Sequence, residues 1–363
     1  MKHVTVYREK GRYAGWPANY GIWSWGDEIV VGFTLGYYGK AERGFHDRDM
    51  SRPFVTMQAR SLDGGETWSV QRAPCRTPDD RGFSADEHMR PELHIARVLD
   101  KEGGPTDCPG GIRFTHPDFA LMCARTGLKA GARSWFYVSY DRCKTWEGPY
   151  WLPMFGQPGI AARTDYIISG DSECTLFLTA AKSNGDEGRV FCARTRDGGR
   201  SFQFLSWIGP EPEGFAIMPA SLRLGSCVLV AVRCREGARP FAESRHWIDL
   251  YASDDDGQTW RYVTRPVEDT GKGGNPPTLT QLQDGRLCLT YGYRAAPYGI
   301  RARLSSDSGL TWPQEVILRD DGGNHDLGYP RTVQRPDGKL VTAYYFNDHP
   351  ESERYIAATI WEP

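Results

Sequence analysis

The pattern Ser/Thr-x-Asp-x-Gly-x-Thr/Ser-Trp/Phe occurs five times in this chain, and a repeat of that stringency constrains the fold more than any other feature. The copies begin at Ser61, Ser139, Thr195, Ser253 and Ser305 and close on Trp68, Trp146, Phe202, Trp260 and Trp312; Cys143 takes the glycine place in the second. Their chemistry is that of a turn. Asp and Ser/Thr side chains bond nearby backbone N–H groups, Gly permits positive φ, and the closing aromatic inserts between neighbouring sheets. Spacings of 78, 56, 58 and 52 residues between successive copies mark a repeat architecture in which each octet staples one hairpin.

Aromatic residues make up 12% of the 363 residues, with 12 Trp and 18 Tyr, which suits sheet packing and the stacking of sugars alike. The 41 Gly and 24 Pro supply many turns. A net charge of −2 gives no case for nucleic acid or an anionic membrane as partner. Nine cysteines, an odd number without CxxC or His/Cys ligand spacing, predict reduced thiols and no metal site, and no cofactor motif is present. The N-terminal Met1-Lys2-His3-Val4-Thr5-Val6-Tyr7 has a strand pattern rather than that of a signal peptide, and no stretch approaches 18 apolar residues. The expectation is a cytoplasmic chain forming one domain over residues 1–363, because the repeats run from 61 to 312 without a linker-like tract.

The octet is the Asp-box, and in its five copies the chain resembles the sialidase superfamily of β-propellers over nearly its whole length. The resemblance implies an all-β fold, a six-bladed β-propeller of four-stranded antiparallel blades. Asp-boxes also occur in exo-arabinanases, some polysaccharide lyases and non-catalytic propellers, so function has to be argued from the site. Blades then read as 15–75, 76–152, 153–208, 209–265, 266–318 and 319–363, with the strand near Thr5–Tyr7 completing the last sheet. Asp-Gly turns at Gln283–Arg286 and Pro336–Lys339 join first to second strands. By hairpin parity they share one face with the octets, which leaves the starts of first strands and the ends of second strands on the other. The tract 70–115 is read as a loop overhanging a pocket on that second face.

The pocket face gathers a polar set. It comprises His46 and Asp47 from blade 1, His116 and Asp118 from blade 2, Arg163, Asp165 and Glu187 from blade 3, Glu213 and Arg233 from blade 4, Arg294 from blade 5, and Tyr329 and Arg331 from blade 6. Carried over by position, the sialidase pattern implies Asp47 as acid/base, Tyr329 as nucleophile with Glu213 as its partner carboxylate, and Arg233 with Arg294 as binders of a substrate carboxylate. Asp165 and Glu187 compete with Glu213 for the carboxylate role. The family's first-blade arginine has no counterpart, since the corresponding stretch reads Gly15-Trp16-Pro17-Ala18-Asn19; Arg163 or Arg331 is the substitute at hand. The implied activity is that of an exo-glycosidase hydrolysing a terminal anionic sugar, with carbohydrate as partner. The alternatives are a lyase acting on a uronic acid, for which His46, His116 and Tyr329 are the available players, and a sugar-binding propeller without catalysis.

Overall fold

The five octets make the same bonds. In each, the Ser or Thr hydroxyl accepts the N–H of the fifth residue, from Gly65 at 2.8 Å to Gly309 at 2.9 Å, and the Asp accepts the N–H of the seventh, from Thr67 at 2.9 Å to Thr311 at 2.9 Å. The fifth residue has φ near +90° wherever it is glycine, and Cys143 takes φ +62° in the second copy. The closing aromatic reaches into the preceding sheet. Trp146 Nε1 donates to Gln58 Oε1, Phe202 packs edge-on against Phe136, and Trp260 Nε1 donates to Ser206 Oγ. One motif therefore closes a hairpin and fastens adjacent sheets together.

The computed structural model describes residues 1–40, 45–237 and 243–363. It is all-β, with six antiparallel sheets arranged as the blades of a propeller. Blades 3, 4, 5 and 6 run in simple order from inner to outer strand: Tyr166–Ile168 to Gln203–Trp207, Phe215–Leu224 to Arg261–Val267, Thr278–Gln281 to Gln314–Arg319, and Gly328–Gln334 to Tyr355–Trp361. The N-terminal strand Lys2–Tyr7 lies on the outside of blade 6, with Lys2 opposite Ile360 and Val4 opposite Ala358. Hairpin parity holds, for Arg335 of the blade 6 Asp-Gly turn donates to Gly64 O of the first octet.

Two blades depart from the simple pattern. In blade 1 the inner strand is broken in two, Arg12–Gly15 and Ile22–Trp25, both pairing with Glu28–Tyr37 around a short turn at Pro17–Asn19. Blade 2 has three strands, Ala120–Arg125, Ser134–Ser139 and Glu147–Trp151. Its inner place is taken by the long tract, where Ser84 N donates to Arg125 O and Phe83 N to Thr56 Oγ1.

The inner strands share a device that decides where side chains point. Trp16, Met218 and Tyr329 all have positive φ (57°, 54° and 51°), and each is followed by proline. Proline cannot donate to the ladder, so the strand bulges there; the register of blade 4 shifts between Ile217 and Ala220, and that of blade 6 between Gly328 and Arg331. A non-glycine residue at such φ costs on the order of 1 kcal/mol or more, and persists only where the surrounding structure holds it.

The octets also set a pH limit on stability. Asp63, Asp197, Asp255 and Asp307 are held at about 2 by the hydroxyl and N–H of the residue four positions on. A carboxyl depressed in the folded state stabilises fully above its unfolded value and loses that contribution as pH falls through the folded one. The melting temperature is expected to change little from pH 7 to about 4 and to fall steeply towards pH 2. Thermal unfolding monitored across that range checks this, and a melting temperature unchanged at pH 2 would contradict it.

Candidate active site

On the face opposite the octets a cavity of about 170 Å³ draws side chains from all six blades. At one side Tyr329 stands between two arginines. Arg233 Nη1 donates to Tyr329 Oη at 3.1 Å, and the guanidinium carbons of Arg233 and Arg294 lie 5.8 and 5.5 Å from the Tyr329 ring centre. Tyr329 is fixed from its backbone, since its N–H donates to Asn275 Oδ1 at 2.8 Å. Residue 328 must be glycine, because a Cβ there would lie 2.3 Å from the Asn275 amide at φ +108°. Arg294 is itself strapped down. Its Nε donates to Leu327 O, its Nη1 to Gly274 O and its Nη2 to Tyr345 Oη, at 2.9, 2.8 and 2.6 Å.

Across the cavity stand two ion pairs, each between a buried arginine and a half-buried glutamate. Arg163 Nη2 donates to Glu187 Oε1 at 3.1 Å, and Arg163 Nε to Asn19 Oδ1 at 3.0 Å. Arg125 grips both oxygens of Glu87, at 2.7 and 3.0 Å. Four arginines against two glutamates leave the lining with two positive charges in excess. Arg163 keeps its Nη1 and Arg233 its Nε without a protein partner.

His46 occupies a third sector. Its Nδ1 lies 2.6 Å from Asp326 Oδ1, and Asp326 also accepts from Tyr13, Tyr345 and Arg354 Nε at 2.9–3.0 Å. Burial works against the Asp326 carboxylate, but His46, Arg354 and Arg294 outweigh it and hold it well below the usual range. Burial likewise opposes charge on His46 and lowers its value in spite of Asp326. An ionised carboxylate at Nδ1 places the ring proton there, so Nε2 carries the lone pair.

Of the residues expected on this face, His46, Arg163, Glu187, Arg233, Arg294 and Tyr329 come together around the cavity. The others lie elsewhere. Asp47, next to His46 on a bent loop, is not part of the cavity lining and pairs with buried Arg354 at 3.3 Å. Glu213 is exposed in the loop before blade 4, where Phe215 and Ile217 take the lining positions and the Glu213 carbonyl accepts from Lys182 Nζ. Asp165 and Arg331 lie below, in a separate axial cavity of about 330 Å³. There Arg331 Nη2 bridges Ala18 O and Thr164 O, while burial raises Asp165 to about 7 against the pull of Arg331 and Ser221.

His116 and Asp118 sit on the octet face, where Asp118 pairs with Arg142 of the second octet at 2.6 Å. The physical reason is that Ala120–Arg125 is the second strand of blade 2, so the residues before it start from the opposite end. The long tract reaches the cavity with Glu87 and His88 alone, and its last part descends to the third octet, where Ile112 N donates to Gly198 O. Sequence reasoning missed Trp16, Glu87, His88 and Arg125 as site residues; Asp326, at the entry to blade 6, falls on the pocket face by the same reasoning but without a role. Trp16-Pro17 carried a signal in its proline, the residue that also lies within the bulges of blades 4 and 6. Among the described residues, no three His, Cys, Asp or Glu side chains are grouped to hold a metal ion, and no helix is long and apolar enough to cross a membrane.

The chain is similar in structure to a protein of unknown function from Dyadobacter fermentans, at 21% identity and a TM-score of 0.71 over 99% of this chain and 97% of that one. It is also similar to a mutant of Trypanosoma rangeli sialidase displaying trans-sialidase activity, at 12% identity and a TM-score of 0.60, covering 99% of this chain and 58% of the sialidase. An α-L-arabinofuranosidase from Fusarium graminearum, Arb93A, matches at 12% identity and a TM-score of 0.55 over 98% of each chain. No protein-family model matches the chain, and no curated protein matches it in sequence. At these identities the likeness is one of fold, shared with proteins that include glycoside hydrolases.

Proposed function

We propose that the chain is an exo-acting glycoside hydrolase of the sialidase-like propeller kind, taking a terminal anionic sugar. The observation that carries this reading is Tyr329 held between Arg233 and Arg294 in a cavity with excess positive charge. The sugar's anionic group is assigned to Arg233 and Arg163, each of which has a buried N–H nitrogen without a protein acceptor. Tyr329 Oη is the nucleophile; a phenol attacks an anomeric centre beside a carboxylate without the repulsion a second carboxylate would bring. The proton-transfer role passes from Asp47 and Glu213, which are outside the cavity, to His46. Its Nε2 takes the Tyr329 proton directly or through one water and returns it to the leaving oxygen, with Asp326 stabilising the imidazolium in between. The Tyr–C1 bond forms as the glycosidic C–O bond breaks; water, giving its proton to His46, then attacks C1 and breaks the Tyr–C1 bond, the proton returns to the Tyr329 oxygen, and the sugar leaves with its configuration retained.

A second reading has its own support. A neutral imidazole oriented by a carboxylate, next to a tyrosine and arginines, is also what β-elimination from a uronic acid requires. The two part company in their products: a free sugar for the hydrolase, a 4,5-unsaturated uronate with its ultraviolet absorbance for the lyase. The test is a panel of aryl uronides, an aryl sialoside and neutral aryl hexosides, together with a polyuronate. Turnover is expected for anionic members only, and Arg233→Ala and Arg163→Ala are each expected to raise the activation free energy behind kcat/KM for them by about 2–5 kcal/mol. Equal turnover of neutral hexosides, or arginine variants within twofold of the parent, would contradict the assignment.

A further inference from the structure

Two buried polar atoms, on residues of the cavity wall, have no protein partner and no part in the chemistry described above. Trp16 Nε1 and His88 Nδ1 belong to side chains 1% and 6% exposed, and both residues line the cavity. Their rings stack with centres 3.6 Å apart and planes within 3° of parallel. Tyr13 covers Trp16 on its other side at 4.9 Å. With both faces of the indole covered, no sugar ring can stack on it, and what it offers the cavity is its edge. A buried donor or acceptor left unmatched is costly, so a pair of them in one cavity points to a ligand that supplies the match.

The polarity of the two atoms differs. Indole Nε1 only donates. Burial, with the charges of Arg48 and Arg125, holds His88 well below its ordinary value, so the ring is neutral and one nitrogen is bare. Its Nε2 lies 3.6 Å from Glu87 Oε1, which draws the ring hydrogen to that side and leaves the lone pair on Nδ1. Ring centres 3.6 Å apart bring one N–H and one acceptor into the same corner. A hydroxyl group has the polarity to match both, accepting from Trp16 and donating to His88. A carboxylate has no hydrogen for His88, and an alkyl group meets neither.

Resting on the reading of the cavity as a sugar site, we propose that Trp16 and His88 form a hydroxyl-reading subsite that selects an anionic sugar carrying a free hydroxyl away from its charged group. This corner stands where the resemblance would have put an arginine, so the site grips charge at Arg163 and Arg233 and reads a neutral hydroxyl here. Sugars deoxygenated at that position are rejected.

The test reads binding rather than turnover. The Trp16 indole N–H resonance of the ¹⁵N-labelled protein is assigned by its loss in Trp16→Phe, and the probes are methyl glucuronides, methyl galacturonides and a methyl sialoside, each with its series of monodeoxy analogues. The resonance is expected to shift with saturable binding of one of these sugars. Removal of one hydroxyl, and of no other, is expected to abolish the shift and weaken binding about 5- to 150-fold. Trp16→Phe and His88→Phe, which keep the aromatic stack, should weaken the parent sugar similarly and bind that one deoxy analogue no worse than it is bound by the unaltered protein. A resonance unmoved by all the probes, deoxy analogues bound as well as their parents, or both variants binding as the parent protein does would overturn the proposal. If the resonance shifts while no probe is turned over, the hydrolase reading fails and the subsite stands.

Discussion

Tyr329→Phe is expected to lower kcat by about two to four orders of magnitude while leaving KM and the melting temperature nearly unchanged. The substitution removes one oxygen and little else. The positive φ, the N–H bond to Asn275 and the packing against Tyr345 at 5.9 Å are properties of the backbone and ring, which phenylalanine retains. The lost contact is the bond from Arg233, which keeps Gly273 O as a backbone acceptor. Single-turnover kinetics on an anionic aryl glycoside, with a fluorinated substrate to trap a tyrosine-linked sugar, measure the effect. A variant active within twofold would reduce Tyr329 to a packing residue. The same silence accompanied by lost activity in Glu87→Gln or Glu187→Gln would move the chemistry to the carboxylates across the cavity.

How Tyr329 was reachable from sequence, while its surroundings were not, follows from what each depends on. The octets are local. Their bonds span four residues, so five copies disclose the hairpins, and hairpin parity then sends Arg233 and Arg294, at the ends of two second strands, to the face where the cavity lies. Parity says nothing about loops. His46 and Asp47 are neighbours on a bent loop outside the strands, one lining the cavity and the other pairing with Arg354, and no periodicity fixes which of them faces in. Blade 2 hides its own irregularity, for the strand read as its first is its second. The inner place falls to a tract whose short turns at Asp86–His88 and Pro91–Leu93 have no hydrophobic period. Glu87 and Arg125 meet because Ser84 bonds the end of that second strand, a contact across 41 residues that only tertiary packing can select.

The residue beneath the cavity on which most depends is Asp326, and Asp326→Ala is expected to destabilise the fold by about 3–5 kcal/mol. Its carboxylate, 1% exposed, is the common acceptor for Tyr13, Tyr345, His46 and Arg354, which join blade 1 to blade 6. Without it the Arg354 side chain, fully buried, keeps Asp47 at 3.3 Å as its remaining carboxylate, and two tyrosine hydroxyls lose a buried acceptor. Removing one partner of a buried pair costs far more than replacing both, so Asp326→Leu with Arg354→Met should recover part of the loss. The sign with pH is fixed by the depressed folded-state value. The carboxylate stabilises fully above about pH 4, so the gap between parent and variant is widest near neutrality and narrows as the unfolded chain's carboxyl takes up its proton in acid. Urea unfolding at pH 7 and pH 3 gives both numbers. A variant within 1 kcal/mol of the parent at pH 7 would show that Asp326 is held in place by its neighbours rather than holding them, and His46 would then need another source of orientation.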